Sequence, residues 1–271
     1  MKRNVGFFRR SACPGESLDA SKSPLRKIYI SCPQLLGYGV EGLRQKDDFF
    51  AQHMNMTATE RSCMYRAMPK IFTYSVEKNI KPTVDYLRGA GVSGAGLKRT
   101  MMKYPNILTC SVKNNLEPKV GWLRERVGLD HERGHVGRFI SMFPPCLWLR
   151  TDNLDSKISY LERTFSYSSE DLRNLLVTMP QVLGLALDEN IRATVEFYLA
   201  KGLSREELGE ALSESPSLLA YSLEKRIKPR VREMEDMGIE LRYCPLYVIG
   251  LCETQWRKWL EGQEGTWTAC A

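Results

Sequence analysis

The chain repeats itself, and that constrains its fold more than any other feature. Six times a proline opens a short apolar phrase: Pro33-Gln34-Leu35-Leu36, Pro69-Lys70-Ile71-Phe72, Pro105-Asn106-Ile107-Leu108, Pro145-Cys146-Leu147-Trp148, Pro180-Gln181-Val182-Leu183 and Pro216-Ser217-Leu218-Leu219. Successive prolines lie 36, 36, 40, 35 and 36 residues apart. A period in this range, held over six copies, specifies stacked supersecondary units, each burying its faces against its neighbours. A hydrophobic content of 43% suffices for such an array within 271 residues, so the chain reads as one elongated repeat domain.

Each repeat is punctuated in the same way. Ten residues after the key proline comes Asn79-Ile80-Lys81-Pro82 or Asn115-Leu116-Glu117-Pro118, with the variants Asn190-Ile191-Arg192-Ala193 and Arg226-Ile227-Lys228-Pro229. The second proline is expected in the first turn of a helix, where its missing N–H costs nothing. Apolar residues at helical spacing follow (Val84 and Leu87, Val120 and Leu123, Val195 and Tyr198, Val231 and Met234). Glycine closes the helix at Gly91, Gly128, Gly202 and Gly238. A second helix opens on a capping box at Thr57-x-x-Glu60, Ser168-x-x-Asp171 and Ser204-x-x-Glu207, and stops at the next key proline. No segment reads as a strand. The expected fold is all-α, a superhelical repeat (α-solenoid) of about six units.

The repeat domain is placed at 29–262, after a basic extension over 1–28 and before a tail over 263–271. The segment Met1-Lys2-Arg3-Asn4-Val5-Gly6-Phe7-Phe8-Arg9-Arg10 is basic, aromatic and free of acids. Two readings stay open for it, an organellar transit peptide and a disordered arm. No run of about 18 apolar residues occurs, so no membrane partner is expected. Eight scattered cysteines without a C-x-x-C pair read as small buried hydrophobes or free thiols.

The phrase Met68-Pro69-Lys70-Ile71-Phe72, followed by Asn79-Ile80-Lys81-Pro82-Thr83-Val84-Asp85-Tyr86-Leu87 and Gly91-Val92-Ser93, closely resembles the repeat of the mitochondrial transcription termination factor (mTERF) family. The copies at 105–123 and 180–203 match equally. The ending Pro245-Leu246-Tyr247, with Glu253-Thr254-Gln255-Trp256 and Trp259-Leu260, looks like the family's closing segment. Two copies depart: the one at Pro145 reaches Asn153-Leu154 two residues early and lacks the second proline, and the one at Pro33 lacks Asn-Ile-x-Pro. The resemblance covers roughly residues 31–262. It implies a curved half-ring whose concave side binds double-stranded nucleic acid, in a mitochondrion or plastid, serving transcription termination or initiation, RNA splicing or ribosome assembly.

Two further motifs are weaker. His131-Glu132-Arg133-Gly134-His135 spells H-E-x-x-H, yet Gly134 and Gly137 weaken the helix that would align both rings, so a loop or helix start is expected. Gly91 to Thr100 brushes against a phosphate-cradling loop but lacks the Gly-Lys-Ser/Thr adjacency and a preceding strand. No cofactor or metal is expected, and no cluster of nucleophile, base and orienter suggests an enzyme. The aromatics Tyr86, Trp122, Trp148, Phe197 and Tyr198 are expected to be packing residues.

The net charge of +7 is uneven. Residues 69–104 hold seven basic groups against two acidic, residues 105–144 six against four, and residues 180–215 three against seven. Cations beside the Asn-Ile-x-Pro phrases are the candidate nucleic-acid contacts: Lys78, Lys81, Lys113, Lys119, Arg192, Lys225, Arg226, Lys228 and Arg230. A row of cations spaced by the repeat suits a phosphate backbone, because each neutralised phosphate releases counterion. The reading is a monomeric, non-enzymatic regulator of organellar gene expression that binds double-stranded DNA or structured RNA. The alternative is an α-solenoid scaffold in an organellar ribonucleoprotein or ribosome-assembly complex, favoured by the acidic fifth repeat (Asp188, Glu189, Glu196, Glu206, Glu207, Glu210, Glu214).

Overall fold

The computed structural model describes residues 2–12, 24–130 and 132–263. Among them there are fourteen α-helices and no strand, so the fold is all-α. Contacts divide the chain into two compact units. The first runs to Arg124 and includes Asp130–Trp148; the second comprises Glu125–Leu129 and the chain from Leu149 on.

Five of the six repeats have three parts, and the last lacks the third. The key proline opens a 3₁₀ turn in five copies, Pro33–Gly37, Pro69–Thr73, Pro105–Thr109, Pro180–Gly184 and Pro216–Leu219, whereas in the fourth the turn is Pro144–Leu147 and opens one residue before Pro145. The apolar pair of each phrase is aimed inward in most copies, with Ile71, Phe72, Ile107, Leu108, Val182, Leu183, Leu218 and Leu219 all at most 1% exposed. Next comes a first helix: α3 (Val40–Asp48), α5 (Lys81–Gly89), α7 (Glu117–Val127), α9 (Thr151–Phe165), α11 (Ala193–Ala200) and α13 (Lys228–Asp236). A second helix follows five of them: α4 (Ala58–Ala67), α6 (Gly94–Lys103), α8 (His135–Met142), α10 (Ser169–Thr178) and α12 (Arg205–Glu214). In the first unit α4 packs on α6 and α6 on α8; in the second, α10 packs on α12.

The three expected capping boxes form at Thr57, Ser168 and Ser204. Each second helix gives out two residues before its proline-led 3₁₀ turn, because the residue before proline is pushed out of the helical region. After α13 a three-residue turn, Leu241–Tyr243, stands where a second helix would come, and a last 3₁₀ turn (Leu246–Gly250) leads to α14 (Glu253–Glu261), which buries Trp256 and Leu260.

The second proline sits in the opening turn of its helix, as expected, at the second residue of α5 (Pro82), α7 (Pro118) and α13 (Pro229), but the helix does not begin on an ordinary turn. A wide turn precedes α5, α7, α11 and α13, spanning Val76–Ile80, Val112–Leu116, Leu187–Arg192 and Leu223–Ile227. Its signature is a hydrogen bond reaching five residues back: Ile80 N to Ser75 O at 3.1 Å, Leu116 N to Ser111 O at 3.2 Å, and Ile191 N to Ala186 O and Ile227 N to Ser222 O at 3.1 Å each. Pro82 could not have donated to Lys78 in an ordinary helix, and its ring would press on that carbonyl. Widening the turn relieves both problems. Repeat five widens with Ala193 in place of the proline, so proline favours the wide turn without being required for it. The copy at Pro145 has neither the proline nor the wide turn, and α9 starts as a regular helix.

The amino-terminal extension holds two helices, α1 (Lys2–Ser11) and α2 (Pro24–Ser31). Phe7 and Phe8 of α1 are buried, and both rings meet Phe72 edge-on at 5.8 and 5.0 Å. Asn4 donates to the carbonyls of Leu35, Leu36 and Tyr38, and Ser62 Oγ donates to Ala12 O at 2.7 Å. The described part of the basic arm is therefore a packed helix, not a disordered one, because its aromatics find an apolar seat on the first repeats. Residues 13–23 and the tail beyond Gln263 lie outside the described residues.

Candidate nucleic-acid interface

The wide turns present the Asn-Ile-x-Pro cations, and a reciprocal cap builds each turn. Ser75 Oγ accepts from Lys78 N at 3.2 Å, while Asn79 Oδ1 accepts from Ser75 N at 3.2 Å. Ser111 and Asn115 do the same, at 3.2 and 3.0 Å. In an ordinary capping box the returning side chain sits three residues on. Here it sits four residues on, because the wide turn carries one more residue before the chain faces back. Asn190 repeats the return bond to Ala186 N at 3.2 Å, and Ser222 repeats the outgoing one from Lys225 N at 3.2 Å. The asparagine is thus a cap, and the cations beside it are displayed by the turn it closes.

The nine candidate cations fall into groups by position. Lys78, Lys113 and Lys225 are exposed on the wide turns and form no salt bridge among the described residues. Arg226 is half-buried, with its guanidinium 4.7 Å from the Tyr221 ring. Lys81, Arg192 and Lys228 share the position ending the turn, and each is tied to a carboxylate one turn away. Lys81 meets Asp85 at 3.0 Å, Arg192 meets Asp188 at 2.8 Å, and Lys228 meets Glu224. These pairs are solvent-exposed and worth little to stability, but they partly neutralise the cations.

Lys119 and Arg230 correct the expectation outright, because both are buried, at 8% and 6% exposure. They share one repeat position with Thr83, Lys157 and Thr194, three residues past the buried Ile80, Leu116, Leu154, Ile191 and Ile227. Thr83 Oγ1 donates to Cys110 O at 3.3 Å and Lys157 Nζ to Leu183 O at 2.8 Å. Arg230 Nη1 donates to Ile249 O and Leu251 O, both at 2.7 Å, and its guanidinium lies over Trp256 at 4.8 Å. In each case the acceptor closes the next 3₁₀ turn, whose last carbonyls have no partner within the turn. Lys119 lies 5.5 Å over the Trp122 ring. Burial pulls the Lys157 ammonium below the usual lysine range. At Thr83, Lys157 and Arg230 this position is a clamp between repeats, and Asn4 of α1 does the same for Pro33–Gly37. Its sequence signal is a polar residue at a fixed offset from the Asn-Ile phrase, indistinguishable by type from a solvated cation.

The excess charge of 69–104 also draws on Lys98, Arg99 and Lys103, which lie on α6 outside the Asn-Ile-x-Pro phrases. Among the aromatics, Tyr198 is buried and Tyr86, Trp122 and Phe197 are half-buried, whereas Trp148 is 43% exposed and leans on Tyr104 at 5.8 Å. His131 lies outside the described residues. Gly134 has a left-handed φ of 70° and His135 opens α8, so no regular helix runs into His135 from its N-terminal side. No group of three metal-ligating side chains occurs among the described residues. Gly91 sits in the turn after α5, and Ser93 caps α6 by accepting from Gly96 N at 3.1 Å.

Comparison with known proteins agrees with this architecture. The sequence profile of the mTERF family matches residues 16–84 and 81–252. The chain is 28% identical over 234 residues to the Arabidopsis thaliana protein named "Transcription termination factor MTERF8, chloroplastic". The match covers 84% of this chain and 43% of that protein, so the chain spans about two fifths of its relative's length. With proline-led 3₁₀ turns, paired helices and the family profile in register over most of its length, the chain belongs to the mTERF family.

Proposed function

We propose that the protein binds duplex nucleic acid, DNA in the first place, and regulates organellar gene expression by occupying it, without catalysis. The observation that carries this reading is the recurrence of exposed, unpaired lysines (Lys78, Lys113 and Lys225) on the capped wide turns. A polyanion rewards such spacing through counterion release, and a rigid turn displays the charge at little entropic cost. Family membership and the relative's name support a role in transcription, and the chloroplast named for that relative supports an organelle. Lys81, Arg192, Arg226 and Lys228 assist, once their internal partners are displaced. Lys119 and Arg230 serve the scaffold.

The test is a salt titration of affinity for a defined duplex, a random duplex and a structured RNA. Replacing Lys78, Lys113 and Lys225 with glutamine should weaken binding to all sequences alike and lower the slope of log K against log salt by about 2–3, roughly 0.9 per lost phosphate contact. A second reading, a protein scaffold, rests on the carboxylates of α12 (Glu206, Glu207, Glu210 and Glu214). Wild-type protein without salt-dependent binding to any of the three probes would leave that reading standing.

A further inference from the structure

The second helices of the first unit carry a charge pattern that the wide turns do not explain. α6 bears Lys98, Arg99 and Lys103 and has no carboxylate of its own. None of the three forms a salt bridge among the described residues. Arg99 and Lys103 are exposed, Lys98 Nζ donates to Asn55 O at 2.7 Å, and Lys103 Nζ lies 5.4 Å over the Tyr104 ring. The three cations line an open cleft of about 640 Å³ with Glu60, Ala95 and Met102. Glu60 is the cleft's one carboxylate, and it is occupied by its own cap, accepting from Thr57 N at 2.7 Å. On α8, packed beside α6, Arg138 is exposed and also forms no salt bridge among the described residues.

Position in the repeat sharpens the pattern. Arg99 and Arg138 each stand six residues before the proline that opens the next 3₁₀ turn, and Lys103 stands two before it. In the second unit the same two places are Asn174 and Thr178 on α10, then Glu210 and Glu214 on α12. In the first unit they are cationic at both places on α6 and at the first on α8, where Met142 takes the second, while α4 carries Cys63 and Ala67. Among the second helices, cations thus occur at these places only on α6 and α8, and the sign is not dictated by the fold.

Building on the nucleic-acid reading above, we propose that α6 and α8 form a second phosphate-contact row, made by Lys98, Arg99, Lys103 and Arg138. Arg99 and Lys103 are one helical turn, about 6 Å, apart along the axis. A duplex presents one charge per ≈1.7 Å of its axis with both strands counted, or about 3.4 Å per strand, so about two phosphates of one strand fall within that length. The cleft offers only Ala95 and Met102 as apolar surface, too little to anchor a protein partner.

The experiment uses the full chain with Arg99, Arg138 and Lys103 replaced by glutamine; Lys98 is left in place because it bonds the Asn55 carbonyl. All three side chains are exposed, so the melting temperature should not move. Fluorescence anisotropy against a random duplex should show a slope of log K against log salt lower by about 2–3 than wild type, with equal loss on a second sequence. A wild-type slope in this variant overturns the second row. If wild type binds with salt dependence and only the Lys78/Lys113/Lys225 variant loses slope, this inference fails while the proposed function stands. If wild type shows no salt-dependent binding, the proposed function fails first. Competition by poly-glutamate as effective as by duplex, at equal charge, also overturns the phosphate assignment.

Discussion

Gly137 sits where two backbones meet. A Cβ there would lie 1.9 Å from the carbonyl oxygen of Gly91, which itself holds a left-handed φ of 86°. Neither atom belongs to a flexible side chain, so α8 would have to move off the preceding turn. Gly137→Ala is expected to cost at least about 1–3 kcal/mol through overpacking, read as a lower midpoint in urea at unchanged m. A midpoint equal to wild type would show that the turn yields freely. The clamp residues show what residue type conceals. Arg230 and Lys157 look like solvated cations in a sequence, because long basic side chains are rarely buried. Here they are buried since each reaches carbonyls that the next 3₁₀ turn cannot satisfy, and an unpaired buried carbonyl costs more than the hydrogen bond contributes. Only the shared offset with Thr83 and Thr194 could have revealed this, and it takes the structure to say that those side chains point inward.

At the scale of elements, much was legible. Proline boundaries, glycine turns and capping boxes all leave residues at fixed offsets, so the paired helices were readable from Thr57, Ser168 and Ser204 alone. The wide turn was not, because Ile80 and Val84 keep a helical spacing whether the turn before them is wide or regular. The caps also titrate. Glu60 is held below the usual carboxylate range chiefly by the Thr57 backbone N–H, and Asp171 chiefly by the Ser168 hydroxyl, with that residue's N–H assisting. A lowered pKa in the folded state means stability that is present above the unfolded value, 4.5 for Glu60 and 3.8 for Asp171, and lost as pH falls through the folded one. Glu60→Gln should therefore lower the melting temperature at pH 7 and flatten its fall below about pH 4.5. An acid limb as steep as wild type would mean that the cap does not sense protonation.

For the molecule as a whole, charge and burial divide differently from what the amino terminus suggested. Its basic, acid-free composition fits an arm or a leader, since composition cannot say whether Phe7 and Phe8 have a seat. The structure provides one on Phe72, closed by Asn4 on the first 3₁₀ turn. Removing residues 2–12 should lower the melting temperature and speed amide exchange in Pro69–Thr73 and α4 of the first unit. Unchanged exchange there would show that α1 contributes nothing to the fold. The candidate interface was half legible: the cations of the wide turns could be named from their spacing, but which of them were spent internally depended on Asp85, Asp188 and Glu224 lying one turn away.

The wide turn has a last consequence, for how such a chain can change length. From cap to buried apolar residue there are five steps in Ser75–Ile80, Ser111–Leu116, Ala186–Ile191 and Ser222–Ile227, but four in Arg150–Leu154. Leu154 is nonetheless as buried as its counterparts, and Lys157 clamps as Thr83 and Arg230 do. One codon gained or lost at this spot alters the bore of a single turn and leaves everything downstream in frame. The α9 copy has the form such a loss would leave, so a lineage can edit this part of each repeat one triplet at a time while the stacking grammar stays intact.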